Sequence, residues 1–297
     1  MFFAKISLKI FLIGIGIGDG MTDPVNQLLT YGLFGFSMAL LDNTEKEKVE
    51  GLTMEFYYNA VKANKLLKEA GLDAALPFFD AAGTALNTIL DFIPSVAGNF
   101  NVYNFRTFGD YNFTNIEVYV NSSAVKEAWG VPADMNYSTS SQVVYDALSR
   151  WDMWVSYADD VAYVLDYIKV LLYNGQDDML VNTAGVLEWI GKLQWPGKDE
   201  FYNAEHQNWV LNDNKTHAGY AQSARSLTFV LVNKAGHLAP MDQPEATTEM
   251  VRRFIEGANN WTNNTAPTLT GVPLDDLMRR FEVPSKEYFA KKKRMEL

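Results

Sequence analysis

Two short loops carry the side chains of this sequence that are best suited to move protons. Residues 175–178 (Gly-Gln-Asp-Asp) offer two carboxylates, and residues 235–240 contain the imidazole of His237. An aspartate that accepts a hydrogen bond from one ring nitrogen of a histidine fixes the tautomer of the ring, and the other ring nitrogen can then take a proton from a hydroxyl. These residue types therefore predict acid–base chemistry, with Asp177 or Asp178 as the carboxylate.

Each loop lies between a predicted strand and a predicted helix. The apolar, β-rich runs at residues 169–173 and 227–232 precede the loops, and stretches with helical spacing follow them. This order is typical of a mostly parallel α/β sheet, in which reactive groups collect at the carboxyl ends of strands. We therefore expect Asp178 and His237 at such ends. A carboxylate followed later by a histidine is also the order of the last two triad members in α/β-hydrolases.

Both loops resemble signature segments of the serine carboxypeptidases. Residues 173–185 are similar to the family pattern Y-x-G-D-x-D-x-x-x-N-x-x-G, and residues 236–244 are similar to G-H-M-V-P-x-D-x-P. By position, the resemblance implies that Asp178 is the triad acid and His237 the triad base, while Gln176 replaces the family's first aspartate. The implied fold is α/β, an α/β-hydrolase-like, mostly parallel sheet with a helical insertion.

The resemblance also implies a reaction, the hydrolysis of the C-terminal peptide bond of a peptide substrate through an acyl-enzyme, with no metal and no cofactor. Leu180, Val181 and Leu238 adjoin the triad positions and are candidates to line substrate pockets, although ordinary apolar support is the alternative interpretation. Two other functions stay open. Some relatives transfer the acyl group to another acceptor, and a hydrolase-like protein can bind or scaffold without catalysis.

The nucleophilic serine is not found in its expected context. Residues 8–24 resemble the family's N-L-K-G-x-x-I-G-N-G-x-x-D-P, a core strand and turn, and in the family the G-E-S-Y-A-G segment with the nucleophile precedes that strand. We therefore expect a chain truncated at its N-terminus, with an incomplete sheet and no activity alone. Ser37 is one residue from a G-x-S-x-G match, but residues 25–41 have helical spacing where a nucleophile elbow needs a strand. Ser37 is therefore predicted to be structural.

The patterns divide the chain into four parts. Residues 1–42 hold a core strand and its turn, 43–100 a helical insertion, 101–256 the C-terminal part of the hydrolase core with both loops, and 257–297 a polar linker and an amphipathic tail. Within the third part, residues 146–165 are predicted to form one helix, whose aromatic residues include Trp151, Trp154, Tyr157 and Tyr163.

Composition narrows the classes of partner. The 297 residues are 48% hydrophobic, enough for a large core, and the net charge of −11 argues against nucleic-acid binding. No apolar run is long enough for a membrane span. Cysteine is absent, which excludes disulfides and departs from the family, whose members usually carry them. His206 and His217 are predicted to be exposed loop residues, and their spacing with His237 does not suit a zinc site. The sequence does not indicate an oligomeric state.

Six Asn-x-Ser/Thr triplets are candidate glycosylation sites, and they begin at Asn112, Asn121, Asn136, Asn214, Asn260 and Asn263. Their number favours passage through the secretory pathway, although an asparagine-rich composition is an alternative explanation. Together with the acidic net charge and the resemblance, the triplets predict a vacuolar, lysosomal or secreted protein.

Overall fold

The chain forms two compact units in the computed structural model, which describes residues 12–211, 213, 215–257 and 261–262. We call them the sheet unit and the helical unit. The described residues of the sheet unit lie within 12–20, 157–176 and 189–262, and those of the helical unit are 21–156 and 177–188. The predicted linker and tail after residue 257 lie outside the described residues, apart from Trp261 and Thr262.

The sheet unit contains a mixed five-stranded sheet. Its strands are β1 (Gly14–Gly18), β2 (Lys169–Gly175), β3 (Gln207–Val210), β4 (His217–Ala224) and β5 (Leu227–Val232). The strand order is β1-β2-β5-β4-β3, with β1, β2 and β5 parallel and with β4 and β3 added antiparallel. Consecutive residues of β2 are buried, so side chains on both faces of this strand are covered, which explains its nearly continuous apolar run. The predicted strands before both loops are therefore confirmed.

The described residues form twelve α-helices. They are α1 (Pro24–Gln27), α2 (Tyr31–Ser37), α3 (Asn43–Ala70), α4 (Leu72–Val96), α5 (Thr114–Val120), α6 (Ser123–Trp129), α7 (Gln142–Leu148), α8 (Ala158–Val164), α9 (Thr183–Lys192), α10 (Lys198–Tyr202), α11 (Ala239–Asp242) and α12 (Pro244–Glu256). Short 3-10 turns occur at Leu28–Thr30 and Asp152–Trp154.

Helices α3 and α4 are the largest elements of the helical unit. Asp42 and Glu45 form a capping box at the start of α3, with each carboxylate accepting from the other residue's backbone N–H at 2.8 Å. Phe56 of α3 and Phe79 and Ile89 of α4 are fully buried in one apolar core. The helices predicted for this part of the chain are therefore present, while the four domain boundaries stay predictions.

The single helix predicted over residues 146–165 is wrong. Helix α7 ends at Leu148, and α8 begins only at Ala158. Between them the buried Trp154 packs edge to face on Phe56, with 5.9 Å between ring centroids, and its carbonyl accepts a hydrogen bond from Asn64 Nδ2 at 2.9 Å. These tertiary contacts hold the chain at Trp154 in a non-helical conformation, so they override the local preference for a continuous helix.

Two loops at the ends of neighbouring strands approach each other at Gly175. This last residue of β2 pairs with Val232, the last residue of β5. A Cβ atom at Gly175 would lie 2.6 Å from the carbonyl oxygen of Ala235 and closer still to that of Gly236. Only a residue without a side chain therefore allows the two strand ends to meet.

We expect Gly175→Ala to lower the free energy of unfolding by about 1–3 kcal/mol, because rigid backbone must move to admit the methyl group. Chemical denaturation measures this loss. Gly16→Ala is the matched control, since a Cβ at Gly16 of the neighbouring β1 meets no atom within 4 Å. An equal loss in both variants would contradict the close approach.

Candidate active site

The loop after β2 surrounds a buried carboxylate. Asp178 has 0% of its surface exposed, and its Oδ1 accepts a hydrogen bond from the backbone N–H of Val181 at 2.9 Å. Burial of an ionised carboxylate is costly unless hydrogen bonds replace its water. The chain turns back on Asp178 to supply one of them, which fixes the orientation of this carboxylate.

A neighbouring segment braces the same loop. The carbonyl of Val102 accepts hydrogen bonds from the backbone N–H groups of Met179 and Leu180 at 3.1 and 3.0 Å. The adjacent Asp177 forms an ion pair with Arg106, with 3.2 Å between Nη1 and Oδ2. The two aspartates therefore occupy different environments, because Asp177 pairs with a half-exposed arginine whereas Asp178 is fully buried and accepts a backbone N–H.

A buried tyrosine holds Leu180 in place. The hydroxyl of Tyr31 donates a hydrogen bond to the Leu180 carbonyl. Burial raises the pKa of the Tyr31 phenol above its ordinary value, and the negative charge of Asp178 raises it further. The phenol therefore keeps its proton and remains a donor to the loop.

The loop ends at Asn182, whose side chain forms hydrogen bonds at the start of α9. Its Oδ1 accepts hydrogen bonds from Thr30 Oγ1 at 2.9 Å and from the backbone N–H of Gly185 at 3.0 Å. The second bond satisfies a donor in the first turn of α9, as an N-cap residue does. The loop that carries Asp178 is thus held by backbone hydrogen bonds at Met179 and Leu180 and by the side chain of Asn182 at its end.

The histidine loop belongs to the sheet unit. After β5, Lys234 adopts a positive φ of 57°, and the backbone N–H of Gly236 donates to Asp242 Oδ2 at 2.7 Å. The carbonyl of Leu238 accepts from the N–H of Asp242 at 3.0 Å, in the first turn of α11. These bonds shape the backbone on both sides of the half-buried His237.

Asp19 is a positioning residue that the sequence patterns did not reveal. It follows β1 and is buried, its backbone N–H donates to the Tyr173 carbonyl, and its Oδ1 accepts from the N–H of Gly175 at 2.7 Å. Burial, and then the charge of Asp19, raise the pKa of Tyr173. An acidic residue at the carboxyl end of a third parallel strand was the available signal.

The other predicted site residues have distinct positions. Val181 is buried, whereas Leu180 and Leu238 are half-buried. Asp178 lies in the helical unit and His237 in the sheet unit, and the pairing of their side chains stays a prediction. Ser37 lies at the end of α2, not in a strand-to-helix turn, and its exposed hydroxyl donates to the carbonyl of Phe34 at 2.9 Å. These contacts agree with a structural serine.

The sequence interpretation of His217 needs correction. His217 is exposed, as predicted, but it begins β4 and is not a loop residue. Strand β4 was missed because its residues, His-Ala-Gly-Tyr-Ala-Gln-Ser-Ala, are mostly small and lack the β-branched side chains that favour strands. His206 is exposed and lies outside the strands.

The glycosylation candidates differ in accessibility. Asn112 and Asn136 are exposed. Asn121 is half-buried, with its Nδ2 donating to the carbonyl of Tyr137 and its Oδ1 accepting from the Tyr137 N–H, both at 2.8 Å. Asn214, Asn260 and Asn263 lie outside the described residues. The structure thus favours the two exposed asparagines as acceptors, while glycosylation itself stays a prediction.

Comparison with known proteins gives matches over most of the chain. Residues 4–257 match the family model described as serine carboxypeptidase. Serine carboxypeptidase 3 of Oryza sativa subsp. japonica is 31% identical over 258 residues, which cover 86% of this chain and 49% of the relative. Serine carboxypeptidase S10 family member 1 of Dictyostelium discoideum is 32% identical over 259 residues, which cover 85% and 58%. The chain therefore spans about half the length of these relatives.

A solved structure shows the fold. Kex1(delta)p, a prohormone-processing carboxypeptidase from Saccharomyces cerevisiae, aligns with a TM-score of 0.65 at 21% identity over 84% of this chain and 56% of its own. The expected α/β-hydrolase-like fold is confirmed by this match. Among the described residues, no helix is both long and apolar enough to cross a membrane.

We expect Tyr31→Phe to change the alkaline stability of the protein. The phenol of an unfolded chain titrates near 10.0, and the pKa in the fold is higher. The native state thus keeps a proton that the unfolded chain releases, so the stabilisation is fully present below about pH 10 and is lost above it, by up to about 1.4 kcal/mol per pH unit. Urea denaturation between about pH 9 and pH 11 should show a shallower decline for the variant.

At neutral pH the same variant leaves the Leu180 carbonyl without its tyrosine donor, and we expect a loss of about 1–3 kcal/mol. Tyr58→Phe, at an exposed position of α3, is the matched control and should behave like the wild type. Equal alkaline slopes for the wild type and Tyr31→Phe would contradict the assigned role of Tyr31.

Proposed function

Because the chain belongs to the serine carboxypeptidase family, we propose that it contributes the acid and the base of a Ser-Asp-His triad that removes C-terminal residues from peptides. Asp178 is the acid and His237 is the base. The observation that carries this assignment is the fully buried carboxylate of Asp178, held by the N–H of Val181 in the loop after a parallel strand. A triad needs such a fixed and desolvated carboxylate.

In the proposed mechanism, Asp178 accepts a hydrogen bond from one ring nitrogen of His237. The other ring nitrogen takes the proton of a serine hydroxyl as the serine oxygen bonds to the scissile carbonyl carbon. The imidazolium then gives its proton to the leaving amine, and the C–N bond breaks. A water molecule, activated by the same imidazole, releases the shortened peptide and restores the serine. The nucleophile is assigned to a G-E-S-Y-A-G segment that the 297 residues do not contain.

The different environments of the two aspartates support Asp178 as the acid. Arg106 already pairs with the carboxylate of Asp177, and this arginine is half exposed. A carboxylate that is neutralised by an arginine is a weaker partner for an imidazolium, because the two cations compete for it. Asp178 is instead fully buried and accepts a hydrogen bond from the N–H of Val181, which is the environment that a triad carboxylate needs.

The peptide substrate and the vacuolar, lysosomal or secreted location stay predictions for this chain. The family match supports peptides as the substrate class. The six candidate triplets, with Asn112 and Asn136 exposed, support a secretory route.

Kinetics test the assignment on the protein expressed from the complete transcript that encodes these residues. We expect Asp178→Asn and His237→Gln each to lower kcat for an N-blocked dipeptide by roughly 10³-fold or more, with little change in KM, since they act on the transition state. His217→Gln and Ser37→Ala are the matched controls and should keep wild-type rates.

Three results would overturn the proposal. Activity that survives His237→Gln would show that His237 is not the base. A larger loss of activity in Asp177→Asn than in Asp178→Asn would show that Asp177 is the acid. Loss of activity in Ser37→Ala would make Ser37 the nucleophile.

A further inference from the structure

A buried tryptophan follows the last helix of the sheet unit. Trp261 lies shortly after Gly257, the residue that caps α12, and only 1% of its surface is exposed. Because tryptophan is large, it is rarely buried so completely. Trp261 belongs to the same apolar core as Trp209 of β3 and Met250 of α12. The sheet unit therefore contains a space for a side chain that comes from beyond its last helix.

Four residues form this space, which we call the tryptophan slot: Gln207, Trp209, Val210 and Arg253. The indole of Trp261 packs edge to face on Trp209, with 5.7 Å between ring centroids. The guanidinium carbon of Arg253 lies 5.7 Å from the centre of the Trp261 ring, within the range of a cation–π contact. The ring is therefore held by an aromatic contact and by a cation.

The backbone of Trp261 is bonded to the outer edge of β3. This strand is the last in the sheet order, with β4 as its neighbour. The Trp261 N–H donates to Gln207 Oε1 at 2.8 Å, and the Trp261 carbonyl accepts from the Val210 N–H at 3.2 Å. An edge strand otherwise presents its backbone groups to another chain. Trp261 therefore covers part of the edge of β3.

A buried arginine joins the two segments. Arg253 of α12 donates from Nη1 to the Trp261 carbonyl at 2.8 Å and from Nη2 to the Val210 carbonyl at 2.7 Å. Glu249 of the same helix forms an ion pair with it. A buried guanidinium is tolerated only when its donors have such acceptors. Arg253 therefore loses a charge-assisted hydrogen bond when Trp261 leaves the slot.

We propose that the tryptophan slot is the receptor of an intrachain latch, that Trp261 is its ligand, and that the seated latch keeps the edge of β3 from pairing with a second copy of this chain. The ring contacts select a tryptophan, and the backbone hydrogen bonds orient the peptide that carries it. A short connection to α12 gives the tethered ligand an effective concentration on the order of millimolar. The latch requires neither hydrolysis nor the proposed triad.

Hydrogen exchange of two neighbouring amides tests the latch in the 297-residue chain. The Val210 N–H is bonded to Trp261, whereas the Leu211 N–H is bonded to the Thr216 carbonyl at 3.0 Å. We expect Trp261→Ala to speed exchange at Val210 by about tenfold or more and at Leu211 by much less, because only Val210 loses its acceptor. Trp129→Ala is the matched control, since Trp129 is 64% exposed, and it should exchange as the wild type does.

Gln207→Leu is a milder variant that leaves both indole rings in place. It removes the acceptor of the Trp261 N–H, so Val210 should again exchange faster while Leu211 does not. Equal acceleration of the two amides, or unchanged exchange at Val210 in both variants, would overturn the latch.

A free peptide with the sequence of residues 258–265 tests whether the slot is a receptor. NMR titration gives its dissociation constants for the wild-type chain and for Trp261→Ala. We expect at least about tenfold tighter binding to the variant, because the tethered Trp261 already occupies the slot of the wild type. The same peptide with alanine at the tryptophan position is the matched control and should bind neither chain. Equal binding to both chains, or no binding to the variant, would overturn the slot as a receptor.

Light scattering during size-exclusion chromatography tests the protection of the edge. We expect the average mass of Trp261→Ala to rise with concentration above that of the wild type, and the peptide of residues 258–265 to lower it again, because a refilled slot covers β3. A mass that stays at the wild-type value, or that the peptide does not lower, would overturn the role of the latch at this edge.

Discussion

The burial of the Asp178 carboxylate is the constraint on which the rest of the site depends. An ionised group with no exposed surface is stable only when the fold supplies oriented hydrogen bonds in place of water. Here the N–H of Val181 supplies one, and the loop that presents it is braced by Val102 and capped by Asn182. The same bonds that make the burial tolerable also fix the direction of the carboxylate. Stability and preorganisation therefore have one structural origin.

The parallel part of the sheet supplies the second requirement, which is a fixed position for the ends of β2 and β5. Gly175 allows the two strand ends to approach to backbone contact, and Asp19 holds the N–H of Gly175 from the neighbouring strand β1. The close approach at Gly175 and the hydrogen bond to Asp19 both act on backbone atoms, which are less mobile than side chains. Within the sheet unit, the ends of β2 and β5 are therefore held in a fixed register.

Sequence patterns predicted the parts of the structure in which local and tertiary preferences agree. Strands β2 and β5 are rich in Val and Leu, so propensity and burial favour the same conformation. Residues 146–165 and β4 were not predicted because their conformation depends on distant partners: Trp154 is anchored by α3, and β4 by its pairing with β5. Resemblance selected Asp178 over Asp177, and the ion pair with Arg106 gives a physical reason that spacing alone could not supply.

The most direct test of the central claim is a proton NMR search for a strongly deshielded ring N–H proton of His237, the mark of a histidine that donates to a carboxylate. With only three histidines in the chain, assignment by His206→Gln, His217→Gln and His237→Gln variants is practical. The account predicts that this resonance is present in the wild type, disappears in Asp178→Asn and persists in Asp177→Asn. Persistence in Asp178→Asn, or loss in Asp177→Asn alone, would contradict it.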